Sequence, residues 1–429
     1  MIKFIHTNKA LFFVFLGSGL LIRFFMLWLI DYRMDYGDAS NYLQSASNLF
    51  DYGIFSGGSG SVIEPDFYRP PAYPFFLFLI FESSGKSIFF IEVAQIIMSI
   101  ISAVLITAIA IKHIPNSAIW VFGLMMLSPF EAVYTGAVLS ETLTAFLIIL
   151  ILTALMLNEG FKKWIIAGVL LGILCLVRDI YILLPFFFIA FYIFFGFGDK
   201  KSKTVNLLTF FIIFCLSIAP WTYRNYQISE TFVPVSDGRL GYSLWTGVWA
   251  TDPHWSVGVI PNFPDKAFRS SEEKIQVIEA YKKFDQEADE LFKELAIQRM
   301  KESPFSVIKS YTLRQPYLWL GTRFDIFELN KNFFEVGSLQ WKSLKILFYA
   351  LNTLFLALGI YGACQLLIKG AFFWPMAIPI FYTAIIYMPL NSFENRYSQP
   401  VYPLILFFAG YALSNIVAKI FKNKEPNNF

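Results

Sequence analysis

Residues able to do acid, base or phosphate chemistry stand between Met34 and Pro74, a polar stretch framed by apolar runs. That stretch reads MDYGDASNYLQSASNL and then, past a Gly/Ser segment, EPDFYRPPAYP. With Arg33 just ahead of it, it gathers Asp35, Asp38, Glu64, Asp66 and Arg69 between apolar runs. Leu43, Ala46 and Leu49 or Phe50 follow Asp38 at helical spacing, which predicts a short amphipathic surface helix starting at Gly37 or Asp38. A carboxylate there fits two roles. It caps the free amides of the first turn, where the helix dipole favours an anion, or it is a base held at the water–lipid boundary. Arg69 stands in Tyr68-Arg69-Pro70-Pro71-Ala72-Tyr73-Pro74, where prolines stiffen the chain ahead of the apolar run Phe75 to Phe81. A guanidinium fixed there fits a bidentate grip on phosphate or a contact with anionic lipid headgroups.

Other candidates lie singly along the chain. Glu141, after Ser140, opens an apolar run as a first-turn acid, with Ser140 as the expected cap. Arg178 and Asp179 lie between two apolar runs, where they can pair with each other. Arg224 follows Pro220-Trp221-Thr222-Tyr223, and Arg396-Tyr397 follows Asn391-Ser392-Phe393-Glu394-Asn395. Single arginines at the ends of different spans, each near an acid or a tyrosine, suggest one shared anionic target. A phosphate-bearing lipid fits that pattern.

These residues must be positioned by a membrane protein. Of 429 residues 56% are hydrophobic, 19% aromatic and 15% charged, against about 25% charged in soluble proteins. Apolar runs near 10–30, 88–111, 117–135, 140–157, 164–178, 180–198, 205–221, 344–368, 372–388 and 398–418 predict about ten transmembrane helices. Their continuity excludes a barrel, whose strands alternate. The first run is longer than the apolar stretch of a signal peptide and lacks a small-residue cleavage site, so it reads as a retained span. With a cytoplasmic N-terminus, Lys3, Lys9, Lys112, Lys162, Lys163, Lys200, Lys201, Lys203, Lys369, Lys419, Lys422 and Lys424 all fall inside and the C-terminus is cytoplasmic too. Arg33, Arg69, Arg178 and Arg396 then lie outside.

The expected organisation is a transmembrane module over 1–220 with a first external loop at 31–87, an external loop domain at 221–343, and C-terminal spans over 344–429. In the external domain, Ile278, Tyr281, Phe284, Ala288, Leu291 and Leu295 predict one amphipathic helix over 272–302, ended by Pro304. The segment before it, rich in Pro and Gly (Pro234, Gly238, Gly241, Gly247, Pro253, Gly258, Pro261, Pro264), shows no clear helix. Cys175, Cys215 and Cys364 are single and lie in apolar runs, and His6, His113 and His254 are scattered. No disulfide framework or zinc site is implied. A net charge of +3, with lysines in short clusters, implies no nucleic-acid partner.

Taken together, Asp38-x-x-x-Tyr42 with Ala46, Arg69-Pro70-Pro71-Ala72-Tyr73-Pro74, Ser140-Glu141, Leu176-Val177-Arg178, Pro220-Trp221-Thr222-Tyr223-Arg224-Asn225-Tyr226, and Arg396-Tyr397 with Pro400 resemble the GT-C superfamily of membrane glycosyltransferases. The likeness is to the bacterial relatives of protein O-mannosyltransferases and of the lipid A aminoarabinose transferase. It covers nearly the whole chain. It implies inverting transfer of a sugar from a polyprenyl-phosphate carrier, such as undecaprenyl phosphate, to a hydroxyl of a glycan, lipid or protein. The family's catalytic acid corresponds to Asp38, with Tyr42 four residues on, and its phosphate-holding basic residue to Arg69. Where relatives often carry Glu after that acid, this chain has Ala39. Many relatives also carry a larger C-terminal soluble domain, and here acceptor selection is expected to rest on the external loops.

The chemistry agrees. A leaving phosphate needs cations, supplied by Arg69, Arg178, Arg224 and Arg396 with Tyr397, while Tyr42 and Tyr68 support them. A base must reach the acceptor hydroxyl on the opposite face of the sugar, and Asp38 is the candidate, with Glu141 orienting the acceptor or supporting Asp38. No cofactor is required; a divalent metal is compatible but unsupported. The rivals are a transporter or flippase for a lipid-linked saccharide, and a ligase or polymerase using a diphosphate-linked donor. Arg23 is the clearest ionisable residue inside a span, and no inverted repeat is visible. Absence of an Asn-x-Ser/Thr sequon and of a eukaryotic retention signal fits a bacterial plasma membrane.

Overall fold

In a computed structural model, residues 1–31, 37–60, 62–195, 199–249, 268, 270–283, 285–370, 373–390 and 394–422 are described. Arg33, Asp35, Pro253, His254, Gly258, Pro261, Pro264, Phe284, Asn391, Ser392, Phe393 and Lys424 fall outside them. The described residues are mostly helical, as expected. In order, the helices are α1 (Ile2–Thr7), α2 (Lys9–Leu29), α3 (Gly37–Tyr52), α4 (Ala72–Ser84), α5 (Ile88–His113), α6 (Ala118–Leu127), α7 (Pro129–Val133), α8 (Glu141–Leu157), α9 (Lys162–Val177), α10 (Leu184–Phe195) and α11 (Lys200–Ser229). They continue with α12 (Leu240–Trp249), α13 (Ser271–Lys283), α14 (Gln286–Glu302), α15 (Pro304–Trp319), α16 (Leu339–Ile368), α17 (Trp374–Ile386) and α18 (Tyr402–Lys422). Two-residue strands β1 (Ile30–Asp31) and β2 (Glu328–Leu329) pair antiparallel, tying the end of α2 to the segment before α16.

Among the described residues, five segments are long and apolar enough to cross a membrane: Lys9–Leu29, Ile88–His113, Lys200–Ser229, Leu339–Ile368 and Asn395–Phe421. Ala72–Ser84, Pro115–Leu127, Glu141–Leu157, Asp179–Phe195 and Trp374–Ile386 are apolar but shorter, as is the 16-residue α9. At about 1.5 Å per residue, a 13-residue helix reaches about 20 Å of a hydrocarbon layer about 30 Å thick. The run expected at 117–135 is not one helix. It stops at Leu127, Ser128 turns to extended backbone, and Pro129 starts α7. Proline disfavours helix at the residue before it and suits the first position of the next. Ser128 completes the break by accepting a hydrogen bond from the Glu131 amide at 3.4 Å.

The chain forms two compact units. The first comprises 1–236, 321–380 and 399–429, and the second 237–320 with 381–398. In the first, helices approach closely where side chains vanish. A Cβ on Gly19 of α2 would meet the Met126 carbonyl oxygen at 2.7 Å, so only glycine lets α2 lie against α6. Beside that contact the buried Arg23 donates to the Gly19 and Met126 carbonyl oxygens, both at 3.0 Å, and to Ser99 Oγ at 2.7 Å. The guanidinium in the first span is thus held by backbone and hydroxyl oxygens.

The second unit corrects two expectations. The amphipathic stretch over 272–302 is two helices, broken after Lys283, with Asp285 capping α14 by accepting from the Ala288 amide at 2.9 Å. The break resets the helical phase, so the buried stripe is Val277, Ala280, Ala288, Phe292 and Ala296, while Ile278, Tyr281, Leu291 and Leu295 pack at its edge. The Gly/Pro-rich segment also holds a helix, α12. Its first turn borrows a cap from a distant residue, since Asp289 accepts from the Gly241 and Tyr242 amides at 3.0 and 2.9 Å. Trp245 and Val248 then bury against Phe292 and its neighbours.

Candidate functional site

The site grows from α3, which starts where its sequence predicts. Ala39, Tyr42, Ser45, Ala46 and Asn48 form its buried face. Tyr42 meets Tyr73 of α4 edge-on at 4.9 Å, and Phe50 meets Phe81 at 6.4 Å. Asp38 lies in the first helical turn, where the dipole favours its anion. Its carboxylate Oδ1 pairs with Arg69 Nη2 at 2.9 Å, the two side chains 27% and 23% exposed. Burial alone lowers the Arg69 pKa, but Asp38, Tyr42 and Tyr68, with the Asp38 hydrogen bond, outweigh it and raise it. The guanidinium also lies 5.0 Å from the Tyr68 ring centre and 5.8 Å from that of Tyr42. Its buried Nε–H has no acceptor among the described residues.

The loop leading to Arg69 is shaped by its own polar groups. Asn48 Nδ2 donates to the Ser56 and Gly58 carbonyls at 2.7 and 2.9 Å. The Asp66 carboxylate accepts from the Gly57 and Tyr68 amides at 2.6 and 3.2 Å. Asp66 is therefore a loop clamp. Arg224, inside α11, donates to the Asp66 and Phe55 carbonyl oxygens and lies 4.5 Å from the Trp221 ring centre. With two loop carbonyls depending on one planar guanidinium, Arg224→Lys, which cannot span both, is expected to destabilise the protein by about 2 kcal/mol. Thermal unfolding in detergent checks this, and an unchanged midpoint excludes the clamp.

Glu141 is placed from the opposite side. The buried Gln95 of α5 accepts from the Tyr73 hydroxyl at 3.2 Å and donates to the Thr135 and Ala137 carbonyls at 3.1 and 2.8 Å, fixing the turn before α8. Ser140 does not cap α8 with its side chain; its carbonyl accepts from the Thr144 hydroxyl at 2.7 Å. Arg178 does not pair with Asp179. Its Nη1 lies 3.4 Å from Glu141 Oε1, with Glu141 almost wholly buried, while Asp179 accepts from Ser236 Oγ at 2.6 Å. Adjacent residues separate because the extended backbone at Arg178 sends its side chain away from the following turn.

Tyr42 joins the two ion pairs. Its hydroxyl is pushed up to about 12, first by burial, then by Asp38, with Glu141 adding to it and Arg69 and Arg178 opposing it. All four charges therefore act on one neutral phenol, which can donate a hydrogen bond. The structure brings Asp38, Tyr42, Tyr68, Arg69, Glu141 and Arg178 into one neighbourhood, and places Arg224 behind the loop. Arg396 and Tyr397 belong to the second unit. There Arg396 Nη2 donates to the Tyr397 hydroxyl at 2.9 Å and its Nε lies 3.4 Å from Glu394.

Sequence reasoning missed a buried polar chain in the first unit. Glu131 Oε1 accepts from Gln399 Nε2 at 2.9 Å, and Gln399 Oε1 accepts from Arg323 Nε at 2.8 Å. Arg323 lies 4.1 Å over the Tyr402 ring, and the Tyr402 hydroxyl donates to Asn352 at 3.0 Å. A cavity of about 10 Å³, room for about one water, is lined by both Glu131 and Glu141 together with Tyr134 and Gln399. The available signal was Ser128-Pro129-Phe130-Glu131, a helix start inside an apolar run.

Glu131 lies in α7, past the end of the apolar helix α6. Burial pushes its carboxyl up to about 7, against the pull of Arg23, Arg323 and Gln399. The folded state thus keeps a proton that the unfolded chain loses near 4.5. Stability should fall as pH rises from about 4.5 to about 7, by about 3 kcal/mol at about 1.4 kcal/mol per pH unit. Glu131→Gln, which keeps an acceptor for Gln399, should flatten that slope. Unfolding midpoints between pH 5 and 8 measure it, and an equal slope in both proteins removes Glu131 as its source.

No protein-family model and no curated protein matches the sequence. Among solved structures, the chain is similar to ArnT from Cupriavidus metallidurans, in a crystal structure with bound undecaprenyl phosphate and in one of the apo state. The alignments cover 96% and 98% of this chain and 81% and 82% of those chains. Identity is 12% in both, with TM-scores of 0.43 and 0.44.

Proposed function

We propose that this chain is an inverting glycosyltransferase moving a sugar from a polyprenyl-phosphate carrier to an acceptor hydroxyl at the outer face of a bacterial plasma membrane. One observation carries the reading. A partly exposed carboxylate, Asp38, is paired at 2.9 Å with a guanidinium, Arg69, that retains an unused donor, Nε–H. Arg69 turns that donor and its charge to the carrier phosphate, and Asp38 acts as the base. The Asp38 carboxylate takes the acceptor proton, and the acceptor oxygen bonds to the anomeric carbon from the face opposite the phosphate. The bond from that carbon to the phosphate oxygen breaks, and its electron pair leaves with the polyprenyl monophosphate. Arginines placed where that charge grows stabilise the transition state.

In this scheme Arg178, expected from the sequence in the phosphate set, moves to the acceptor side with Glu141, its ion-pair partner, Tyr42 donates to a reacting oxygen, and Tyr68 backs Arg69. Arg224, Arg396 and Tyr397 stay in the proposed phosphate set on the strength of sequence position. A divalent cation is not part of the scheme. The test is incubation of the purified chain with polyprenyl-phosphate sugars and envelope acceptors, followed by mass spectrometry of both products. Release of polyprenyl monophosphate with a glycosylated acceptor is the expected result. Release of a diphosphate selects the ligase or polymerase, and movement of an intact donor across vesicles without bond cleavage selects the transporter.

A further inference from the structure

At the other end of α9, about 24 Å of helix from Arg178 at about 1.5 Å per residue, lies a groove of about 550 Å³. It is formed by the start of α9, by α10 and by the start of α11. Lys163 and Lys201 line it together with Ser202, Asn206, Tyr192 and Trp164. Residues 159–163 and 199–203 bring five lysines against Glu159 and Asp199, and the Asp199 carboxylate accepts from the Ser202 amide as the α11 cap. Trp164 is 3% exposed. Its indole Nε1–H is buried with no acceptor among the described residues, although its ring packs 4.4 Å from Tyr192. A buried N–H left without a partner costs free energy that a bound oxygen recovers. The groove therefore offers two ammonium groups, a hydroxyl and a spare N–H to one anion.

The source of that anion follows from what adjoins the groove. From its edge an apolar stripe runs along α11 through Val205, Leu208, Ile212 and Leu216, 45–61% exposed, at spacings of three and four. A soluble phosphate has no use for such a stripe, whereas acyl chains cover it. We propose that this groove binds an anionic phospholipid, its phosphate held by Lys163, Lys201, Ser202 and the Trp164 indole N–H, and its chains lying along α11. The site is separate from Asp38 and independent of the activity proposed above.

The test uses the full-length chain purified in a mild zwitterionic detergent, with lipid retention measured by native mass spectrometry. Phosphatidylglycerol should be retained at least about fivefold more than phosphatidylcholine, and Lys163→Gln/Lys201→Gln should bring the two to parity. Trp164→Phe, which keeps an aromatic ring and removes the donor, should weaken retention of phosphatidylglycerol more than that of phosphatidylcholine, a difference that a loss of packing alone would not produce. Phosphate added at millimolar concentration should not displace the lipid. Equal retention of both lipids by the wild type, undiminished preference in the double lysine variant or in Trp164→Phe, or displacement by phosphate each overturns the proposal, the last by assigning the groove to a soluble anion.

Discussion

Asp38→Asn should lower sugar transfer by about 10²–10⁴-fold, the contribution of a positioned general base, and leave the folded protein nearly as stable as before. The two halves of that expectation come from different numbers. The amide keeps the shape of the side chain and its place in the first turn of α3, but accepts no proton. On the stability side, Asp38 and Arg69 are 27% and 23% exposed. An ion pair that open to solvent contributes about 1 kcal/mol or less, so loss of the pair cannot account for loss of activity. Turnover of the polyprenyl-phosphate donor and the thermal midpoint, measured on one preparation, separate the cases. Transfer within about tenfold of wild type removes Asp38 from the chemistry. A collapsed midpoint shows that the residue was needed for folding.

What could be read from the sequence divides by the range of the interaction. The start of α3 at Gly37 and its buried Ala46 were legible, because capping and periodicity are properties of neighbouring residues; Leu43, Leu49 and Phe50 of the expected stripe are only half-buried, and Tyr42, Ser45 and Asn48 carry the packed face instead. The pairing of Asp38 with Arg69 depends on α3 folding back onto α4, and the sequence supplied only the two residue types. Arg178 illustrates the limit. Its neighbour Asp179 is the obvious local partner, yet an extended residue at the end of α9 sends the guanidinium to Glu141, 37 positions away. The same holds for Arg224, where a residue type suited to phosphate spends part of its hydrogen-bonding capacity on two loop carbonyls. Gln95, Asn352 and Gln399 carried no signal at all. A lone amide in an apolar run looks alike whether it faces lipid, a neighbouring helix or a buried acid.

The largest expected stability effect belongs to Arg178. Its Nη1 stands 3.4 Å from Glu141 Oε1, with the arginine side chain 13% and the glutamate side chain 3% exposed, and no described donor reaches Glu141 Oε2. Arg178→Met fills similar space but strands a carboxylate in the interior, which should cost about 3–5 kcal/mol. Glu141→Gln should cost less, because the better-exposed guanidinium can turn toward solvent. Arg178→Met with Glu141→Gln leaves no charge to strand, so it should recover most of the loss; breaking a buried pair is far more damaging than replacing it. Unfolding midpoints of the three variants make a double-mutant cycle, and additive single effects would show that the two side chains do not interact. Activity then separates architecture from chemistry. If the pair only braces the start of α8 against the end of α9, the double variant regains transfer along with stability. If Glu141 and Arg178 orient the acceptor, the refolded double variant stays slow, with its loss in kcat/KM for the acceptor and not in binding of the polyprenyl-phosphate donor.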